Sequence, residues 1–260
     1  MTQQEKRNYL ITKLISENEK LKDIEIPSDE EEQKQMLRGL FNIRPPRDAS
    51  EEFLKIQNKY LQEEIKNKGV VESKNISCIA NTKLALWKGD ITLLKWDAIV
   101  NAANSAMTGC YVPNHRCIDN CIHTFAGVQL RLACQKIIDE QGHEEKTGGA
   151  KITSAYNLPC KYVLHTVGPI VQGALTKNDK ELLASCYNSC LQLASEKKLE
   201  SIAFCCISTG VFGFPQQEAA EVAIEVSQKF LLTNTQIKKI IFNVFKQSDY
   251  DIYKNILEKL

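Results

Sequence analysis

Three side chains that bind metal ions well stand close together in one segment of the 260-residue chain. Cys110, His115 and Cys117 fall within eight residues, separated by Pro113 and by residues that favour turns. Two thiolates and an imidazole suit Zn²⁺, and three protein ligands leave a fourth tetrahedral position open. The segment therefore predicts a zinc site, and the open position favours a catalytic role over a structural one.

Two other interpretations of this segment stay open. Cys121 lies one helical turn after Cys117 and can complete a closed structural site with four protein ligands. The helix that carries Cys121 is expected to pack on a sheet, which favours simple burial of this thiol. The remaining alternative is that the segment binds no metal.

A carboxylate follows the predicted ligands. Asp119 stands two residues after Cys117, at the start of a predicted helix. One interpretation is an N-cap, which stabilises a helix by about 1 kcal/mol. The other is a position beside a ligand, because a helix start in an α/β domain points toward the ligand-binding end. Both roles can hold together.

Two loops after predicted strands carry further polar side chains. Asn101 and Asn104 follow a strand of buried character, and a buried amide is costly unless it is hydrogen-bonded. One of them is therefore expected to face a polar ligand. Asp90, after another strand, either presents a carboxylate to a ligand or caps the short turn that follows.

A third loop, residues 207–215, is rich in small residues. Ser208, Thr209, Gly210 and Gly213 lie there between a predicted strand and a predicted helix. Small residues let backbone N–H groups approach a phosphate, and the helix N-terminus adds partial positive charge. The loop predicts a phosphate-binding site, although its glycines can also serve the turn alone.

These loops need a framework of strands and helices to bring them together. The predicted strands are KLALWK, DAIVNAA, KYVLHTV, SIAFCCI and KKIIFNVF. The predicted helices span Asp119 to Gln141, Asp179 to Lys198, Pro215 to Leu231 and Asp249 to Leu260. Apolar strands that alternate with helices indicate a sheet buried on both faces, in a three-layer α/β/α fold.

The first 70 residues differ in composition from the rest. All ten cysteines and all four histidines lie at or after Cys78. Residues 1–70 show three amphipathic helical faces, and Ser28 or Ser50 followed by acidic residues can cap a new helix. The chain is therefore divided into a helical extension, residues 1–70, and a main domain, residues 71–260, against which the extension is expected to pack.

The overall charge and hydropathy restrict the class of protein. The net charge is +1, which gives no electrostatic argument for nucleic acid or for a membrane as partner. No stretch approaches the roughly 20 apolar residues that a transmembrane helix needs. A cytoplasmic location with reduced thiols is expected, so cysteine positions matter more than their number.

The motifs, taken in order, resemble those of the macrodomain family. The matching segments are GDIT, IVNAAN, CIDNCIH, GGAKITSAYNLPCKYVLHTVGP and ISTGVFGFP. The resemblance covers about residues 70–260 and implies an ADP-ribose site on a three-layer α/β/α fold with a mixed central sheet. The extension is similar to that of a zinc-containing bacterial branch, and GCYVPNHRC stands where many hydrolytic members carry a run of glycines.

The resemblance also implies residue roles. Asp90 and the amide of Ile91 would bind adenine, with Phe245 packing against it. The diphosphate would be held by the backbone of Ser208, Thr209, Gly210, Val211 and Phe212. Those lining the distal ribose would be Asn104, Cys117, Ile118, Asp119 and Phe214, with Asp119 and Asn104 as catalytic residues.

The implied activity is hydrolysis of mono-ADP-ribose from protein side chains, acidic ones in particular, by a zinc-dependent enzyme. The main alternative is a module that binds ADP-ribose without cleaving it. Two others are a thiol-based redox or metal-buffering protein, which the ten cysteines permit, and a phosphoesterase acting on ADP-ribose phosphates, which the same fold supports. Relatives of the zinc branch are associated with a sirtuin-type transferase and with a lipoyl-carrier protein resembling the glycine-cleavage H protein. The resemblance implies these as partners.

Overall fold

The structure is a computed structural model that describes residues 1–79 and 82–260. Its first part consists of three helices, α1 (Gln3–Ser16), α2 (Glu30–Ile43) and α3 (Glu51–Lys68). Their apolar faces form a buried cluster of their own, which Val128 from the following part joins. The three predicted helical faces are therefore present, and they close on one another and on the main domain.

Of the two predicted N-cap residues of this part, Ser50 is confirmed and Ser28 is not. Ser50 caps α3, where its hydroxyl accepts a hydrogen bond from the Phe53 N–H at 3.2 Å. At α2 the cap is Asp29 and not Ser28, since the Asp29 carboxylate accepts from the Glu32 N–H at 2.9 Å. A carboxylate also interacts favourably with the positive end of the helix dipole.

The second part is built on strands. They are β1 (Val71–Glu72), β2 (Leu84–Lys88), β3 (Leu94–Lys95), β4 (Ala98–Ala103), β5 (Ala150–Ser154), β6 (Tyr162–Val167), β7 (Ser201–Phe204) and β8 (Lys239–Val244). Six of them form one sheet in the order β2-β8-β7-β4-β6-β5, while β1 pairs with β3. Within the sheet every neighbouring pair is parallel except β5 with β6. The mixed central sheet is thus confirmed.

In the part of the chain that the structure describes after β1, five α-helices pack around this sheet. They are α4 (Ile118–Ala126), α5 (Val128–Gln141), α6 (Lys177–Glu196), α7 (Gln216–Thr233) and α8 (Gln247–Leu257). Helices α6, α7 and α8 pack side by side on the sheet, whereas α4 and α5 form a separate pair against β4 and β5. Helices α2 and α3 of the extension pack on α4, so the extension lies directly behind the helix that carries Asp119.

Two departures from the predicted elements have physical causes. The single helix predicted from Asp119 to Gln141 is two helices, because the chain turns at Gly127 with φ 96°. Strand β5 was not predicted. Only one of its residues, Thr153, is buried, since it forms the antiparallel edge of the sheet and lacks the apolar run of a central strand.

The parallel strands bring the loops of interest to one edge. Strands β2, β4, β7 and β8 run in the same direction, so their carboxyl ends meet at the same side of the sheet. Ligands of open α/β sheets bind at this edge. The loops that carry Asp90, Asn104 and Ser208 all begin there.

Candidate functional site

The three predicted metal ligands converge. One ligand atom from each of Cys110, His115 and Cys117 lies within 4.8 Å of the other two, and all three residues are half-buried. Cys110 Sγ is 3.5 Å from His115 Nδ1. Around a tetrahedral Zn²⁺, a sulfur at about 2.3 Å and a nitrogen at about 2.05 Å lie roughly 3.6 Å apart. The donor set and its spacing therefore fit this ion.

Cys117 has a second function, as the cap of α4. Its sulfur accepts a hydrogen bond from the Asn120 N–H at 3.4 Å, at the N-cap position of the helix. Burial raises the pKa of the Cys117 thiol to about 12, and the nearby Cys110 and Asp119 add to this effect. A bound cation reverses that balance, because a coordinating thiol is deprotonated.

Cys121 does not join the metal-competent group. Its sulfur lies 3.4 Å from Nη2 of Arg38, a residue of the extension. Cys121 is not a member of the group of ligand atoms formed by Cys110, His115 and Cys117. A cationic guanidinium beside the thiol disfavours a metal ion at the same sulfur. Among the described residues the geometry therefore favours three protein ligands over the closed four-ligand alternative.

Asp119 lies in the first turn of α4 and is 5% exposed. It is not the N-cap, as the sequence allowed, because Cys117 occupies that position two residues earlier. Asp119 Oδ1 accepts a hydrogen bond from Asn101 Nδ2 at 2.8 Å, and Asp119 Oδ2 lies 3.4 Å from Asn104 Nδ2. The two asparagines of the loop thus converge on one carboxylate.

The surroundings of Asp119 influence its protonation. Burial raises the pKa of the carboxyl to about 6, although the hydrogen bond from Asn101 and the charge of Arg131 act in the opposite direction. A carboxyl with a pKa near neutrality can both hold and release a proton at physiological pH. Oδ1 atoms of Asn101 and Asn104 are buried without a partner among the described residues.

A second group of buried side chains lies next to Asp119, and its connection to that carboxylate was not predicted. His165 Nδ1 is 3.2 Å from Asn101 Nδ2, and His165 Nε2 is 2.9 Å from Thr153 Oγ1. His123 Nε2 lies 3.5 Å from Asp119 Oδ1. Burial lowers the pKa of both histidines, that of His165 to about 3, so both are neutral. In the sequence His123 lies in a helical pattern and His165 in a strand pattern, and such positions indicate core residues without any sign of this connection.

The loop of small residues forms an exposed turn over the sheet edge. Ser208 has φ 64°, and its buried hydroxyl has no partner among the described residues. The Phe214 N–H donates to the Ser208 carbonyl at 3.0 Å, which closes the loop. Gly210 faces open space, and Val211 is 85% exposed. Helix α7 follows without a side-chain cap, so its first N–H groups are available to an anion.

Two phenylalanines with predicted roles have contrasting environments. Phe214 is 2% exposed and belongs to the main core, from which it supports the loop of small residues. Phe245 follows β8 and is 78% exposed. Its ring therefore lies free at the sheet edge, as a residue that packs against a base requires.

The adenine end of the predicted site lies at the loop after β2. Asp90 Oδ1 accepts from the Thr92 N–H at 3.0 Å and from the Thr92 hydroxyl at 2.6 Å, so the capping role is present. The side chain of Ile91 is buried, which leaves only its backbone for a ligand. Asn243 Nδ2 donates to the Gly89 carbonyl at 2.9 Å and holds the loop to β8.

Comparison with known proteins places this arrangement in context. A family model described as Macro domain matches residues 100–223. A protein-ADP-ribose hydrolase of Treponema medium is 56% identical over 260 residues, with 99% of this chain and 100% of the relative covered. The chain belongs to the macrodomain family. A protein-ADP-ribose hydrolase of Staphylococcus aureus strain MRSA252 is 46% identical to this macrodomain chain over 252 residues, covering 96% of it and 94% of the relative.

Solved macrodomains show the same fold. That of Trypanosoma brucei in complex with ADP-ribose superimposes with a TM-score of 0.67 at 30% identity, covering 81% of this chain and 92% of the other. A mutant macrodomain of Oceanobacillus iheyensis with ADPR gives a TM-score of 0.64 at 38% identity, covering 71% and 96%. The α/β/α interpretation is therefore confirmed. Outside residues 80 and 81, no helix of this macrodomain chain is long and apolar enough to cross a membrane.

Proposed function

We propose that this macrodomain is a zinc-dependent hydrolase that removes mono-ADP-ribose from modified protein side chains. The names of the Treponema and Staphylococcus relatives support the reaction. The observation that carries the proposal is the position of Asp119, two residues after Cys117, with both carboxylate oxygens near asparagine amides. A module that only binds ADP-ribose needs neither the metal-competent loop nor this carboxylate.

The loops of the sheet edge hold the substrate. The backbone of residues 208–212 and the N-terminus of α7 bind the diphosphate, while Asp90, the Ile91 amide and Phe245 bind adenine. Binding at these two groups fixes the distal ribose beside Asn104, Ile118 and Asp119, next to the core residue Phe214. Anchoring at distant groups supplies the orientation on which the chemical step depends.

Asp119 acts on a proton at the distal ribose. Its Oδ1 is held by Asn101, which leaves Oδ2 to orient the attacking water or to accept a proton from it or from a ribose hydroxyl. Asn104 positions the same oxygen and contacts the ribose. A zinc ion held by Cys110, His115 and Cys117 would supply Lewis-acid stabilisation of oxygen at the ribose.

The bond that breaks joins C1 of the distal ribose to the modified side chain. Water supplies a hydroxyl to C1 and a proton to the leaving group, so the products are ADP-ribose and the free side chain, without oxidation or reduction. We propose an ester to an acidic residue as the substrate, because carboxylate is a good leaving group.

The proposal includes protein partners. The modified substrate would be a lipoyl-carrier protein resembling the glycine-cleavage H protein, modified by a sirtuin-type transferase. Their support is the resemblance to the zinc-containing bacterial branch. The proposed preference for an acidic linkage is tested by comparing the rate of ADP-ribose release from such a carrier, modified on a carboxylate, with the rate from a protein modified on serine.

The test combines metal analysis with product release. The purified chain, with and without a strong chelator, is incubated with a mono-ADP-ribosylated protein, and both zinc content and free ADP-ribose are measured. We expect about one zinc per chain, held by Cys110, His115 and Cys117, and release of ADP-ribose that the chelator abolishes. Full release by metal-free protein contradicts the zinc requirement, and ADP-ribose binding without release favours a binding module.

Matched cysteine variants locate the metal. Cys117→Ala should lose zinc and activity, whereas Cys121→Ala should keep both, because Cys121 lies outside the ligand group. Loss of zinc in both variants would establish the closed four-ligand site instead. Asp119→Asn should lower turnover about 10²- to 10⁴-fold, the range of general acid–base catalysis, with zinc content unchanged.

A further inference from the structure

Helix α2 of the extension lies against the metal-competent loop. A Cβ on Gly39 would be 3.5 Å from Asn114 Nδ2 and 3.8 Å from Pro113 Cβ, which is ordinary van der Waals contact. Residues 38, 39 and 42 share this face of the helix, since positions i and i+4 are neighbours on a helix. The extension therefore contacts the loop between its metal ligands.

Arg38 makes the central contacts. Its Nη2 donates to the backbone carbonyl of His115 at 2.9 Å and to Asn120 Oδ1 at 3.1 Å. His115 is the single imidazole of the proposed ligand set, and the backbone N–H of His115 donates to the Val112 carbonyl at 3.2 Å. The backbone of this ligand is thus held from the extension on one side and by the loop on the other.

Asn120 transmits the contact to a second ligand. Because Asn120 Oδ1 accepts from Arg38, its Nδ2 is directed to the Cys110 carbonyl at 3.3 Å and to the Val112 carbonyl at 3.1 Å. The Asn120 N–H also donates to Cys117 Sγ at 3.4 Å. Asn120, oriented by Arg38, therefore contacts the first and the last of the three proposed ligands, at the Cys110 carbonyl and at Cys117 Sγ.

Two further residues join α2 to the same region. Asn42 Oδ1 accepts from the Asn114 N–H at 2.9 Å, and Asn42 Nδ2 donates to Thr124 Oγ1 at 2.8 Å. The buried Arg131 donates to the Asn42 carbonyl and to the Thr108 carbonyl, both at 2.7 Å. The end of α2 and the start of the loop are thus fixed to one guanidinium.

We propose that Arg38 is a positioning residue for the metal site, through which the N-terminal extension holds Cys110, His115 and Cys117 at ligand spacing. The inference rests on the proposed function, in which these three residues bind zinc. It gives the extension a role in the active site that its sequence did not show. Groups that orient metal ligands typically change metal affinity about 10- to 100-fold when removed.

The experiment uses the full chain and compares two arginines of the extension. Arg38→Met keeps the aliphatic stem and removes every donor. Arg7→Met is the matched control, because Arg7 is buried in the extension and its hydrogen bonds among the described residues go to Gln33 Oε1 at 3.0 Å and Glu30 Oε1 at 3.3 Å, both in the extension. Arg38→Lys returns one cationic donor to the His115 carbonyl.

Zinc affinity is measured by competition with a chromophoric chelator, and the visible absorption of Co²⁺ bound in place of zinc reports the geometry. We expect Arg38→Met to weaken zinc binding at least about tenfold, with a changed Co²⁺ spectrum, and Arg38→Lys to recover part of the loss. Arg7→Met should stay within about threefold of the parent, or about 0.7 kcal/mol. ADP affinity should be equal in all variants, which verifies that the rest of the site is folded.

Several results would overturn the inference. Parent-like zinc affinity and Co²⁺ absorption in Arg38→Met would show that the loop holds its spacing without the extension. Equal weakening in Arg38→Met and Arg7→Met would show that only the stability of the extension matters. A parent chain that binds no zinc refutes the proposed function and the inference together, whereas the first two results leave the proposed function standing.

Discussion

Gly109 stands directly before the first proposed metal ligand, where its backbone has φ 85°. A Cβ at this position would lie 2.7 Å from Cγ and 2.8 Å from Cδ2 of the His123 ring. His123 is 5% exposed and lies beside Asp119, so its ring has little room to move aside. Gly109→Ala therefore carries two separate costs, one of backbone conformation and one of overlap.

The magnitudes of the two costs can be separated with a second glycine. The left-handed conformation costs an alanine about 1 kcal/mol, and overpacking a buried ring adds about 1–3 kcal/mol. Gly142 at the end of α5 has φ 75°, but a Cβ there would meet nothing within 4 Å. Gly142→Ala should therefore lose about 1 kcal/mol of unfolding free energy, and Gly109→Ala about 2–4 kcal/mol.

Urea unfolding of both variants, followed by circular dichroism, measures the difference directly. The unfolding free energy of Gly109→Ala should be lower than that of Gly142→Ala by the overlap contribution, about 1–3 kcal/mol, and the dependence of the free energy on urea concentration should be unchanged. In a double variant with His123→Ala the two losses should not add, because the overlap disappears with the ring. Equal losses in the two glycine variants, or full additivity with His123→Ala, would refute this reasoning.

Three further predictions concern other parts of the molecule. Asp97→Ala should lower the unfolding free energy by about 2–3 kcal/mol, since this carboxylate accepts hydrogen bonds from the N–H groups at the start of β7. Lys161→Ala, which removes the exposed ammonium paired with Asp97, should cost under about 1 kcal/mol. Similar denaturant midpoints for the two variants would contradict this. Burial lowers the pKa of His165 to about 3, against about 6.5 in the unfolded chain. Below pH 6.5 the unfolded state therefore takes up a proton that the folded state does not, so the unfolding free energy decreases as the pH is lowered. When the pH is lowered from 8 to 5, the unfolding free energy of the parent, measured by urea titration, should decrease by about 2 kcal/mol more than that of His165→Gln. The same pH dependence of the unfolding free energy in both proteins would contradict this prediction. Phe245→Ala should weaken ADP binding about 5- to 20-fold in calorimetry, the scale of one stacking contact, with no change in melting temperature; unchanged affinity would remove Phe245 from the adenine site.

The central strands and the metal loop could be predicted because their signals are local. The run DAIVNAA contains β4 with Ala98, Ile99 and Val100 fully buried, as a continuous apolar run in a parallel sheet requires. Cys110, His115 and Cys117 carry their chemistry in residue type and spacing. Strand β5 has no such signal, because an edge strand with one buried residue resembles a loop in sequence.

The contacts between distant segments could not be predicted. Arg38 and His115 are 77 residues apart, and a lone arginine on an amphipathic helix is indistinguishable from a solvated one until the helix is docked. The hydrogen bond from Asn101 to Asp119 depends on the position at which α4 begins, and its N-cap is Cys117. A thiol is an uncommon cap, so the carboxylate two residues later was the more natural expectation.

The start of α4 at Cys117 also imposes a length constraint. Each residue of an α-helix turns the side-chain direction by about 100°. One residue inserted or removed between Cys117 and Asp119 would therefore rotate the carboxylate away from Asn101 and Asn104. Residues added between Cys110 and His115 would instead disturb the contacts that Pro113 and Asn114 make with helix α2, without changing the direction of the carboxylate. Chains that share this carboxylate are thus expected to keep a fixed interval between Cys117 and Asp119.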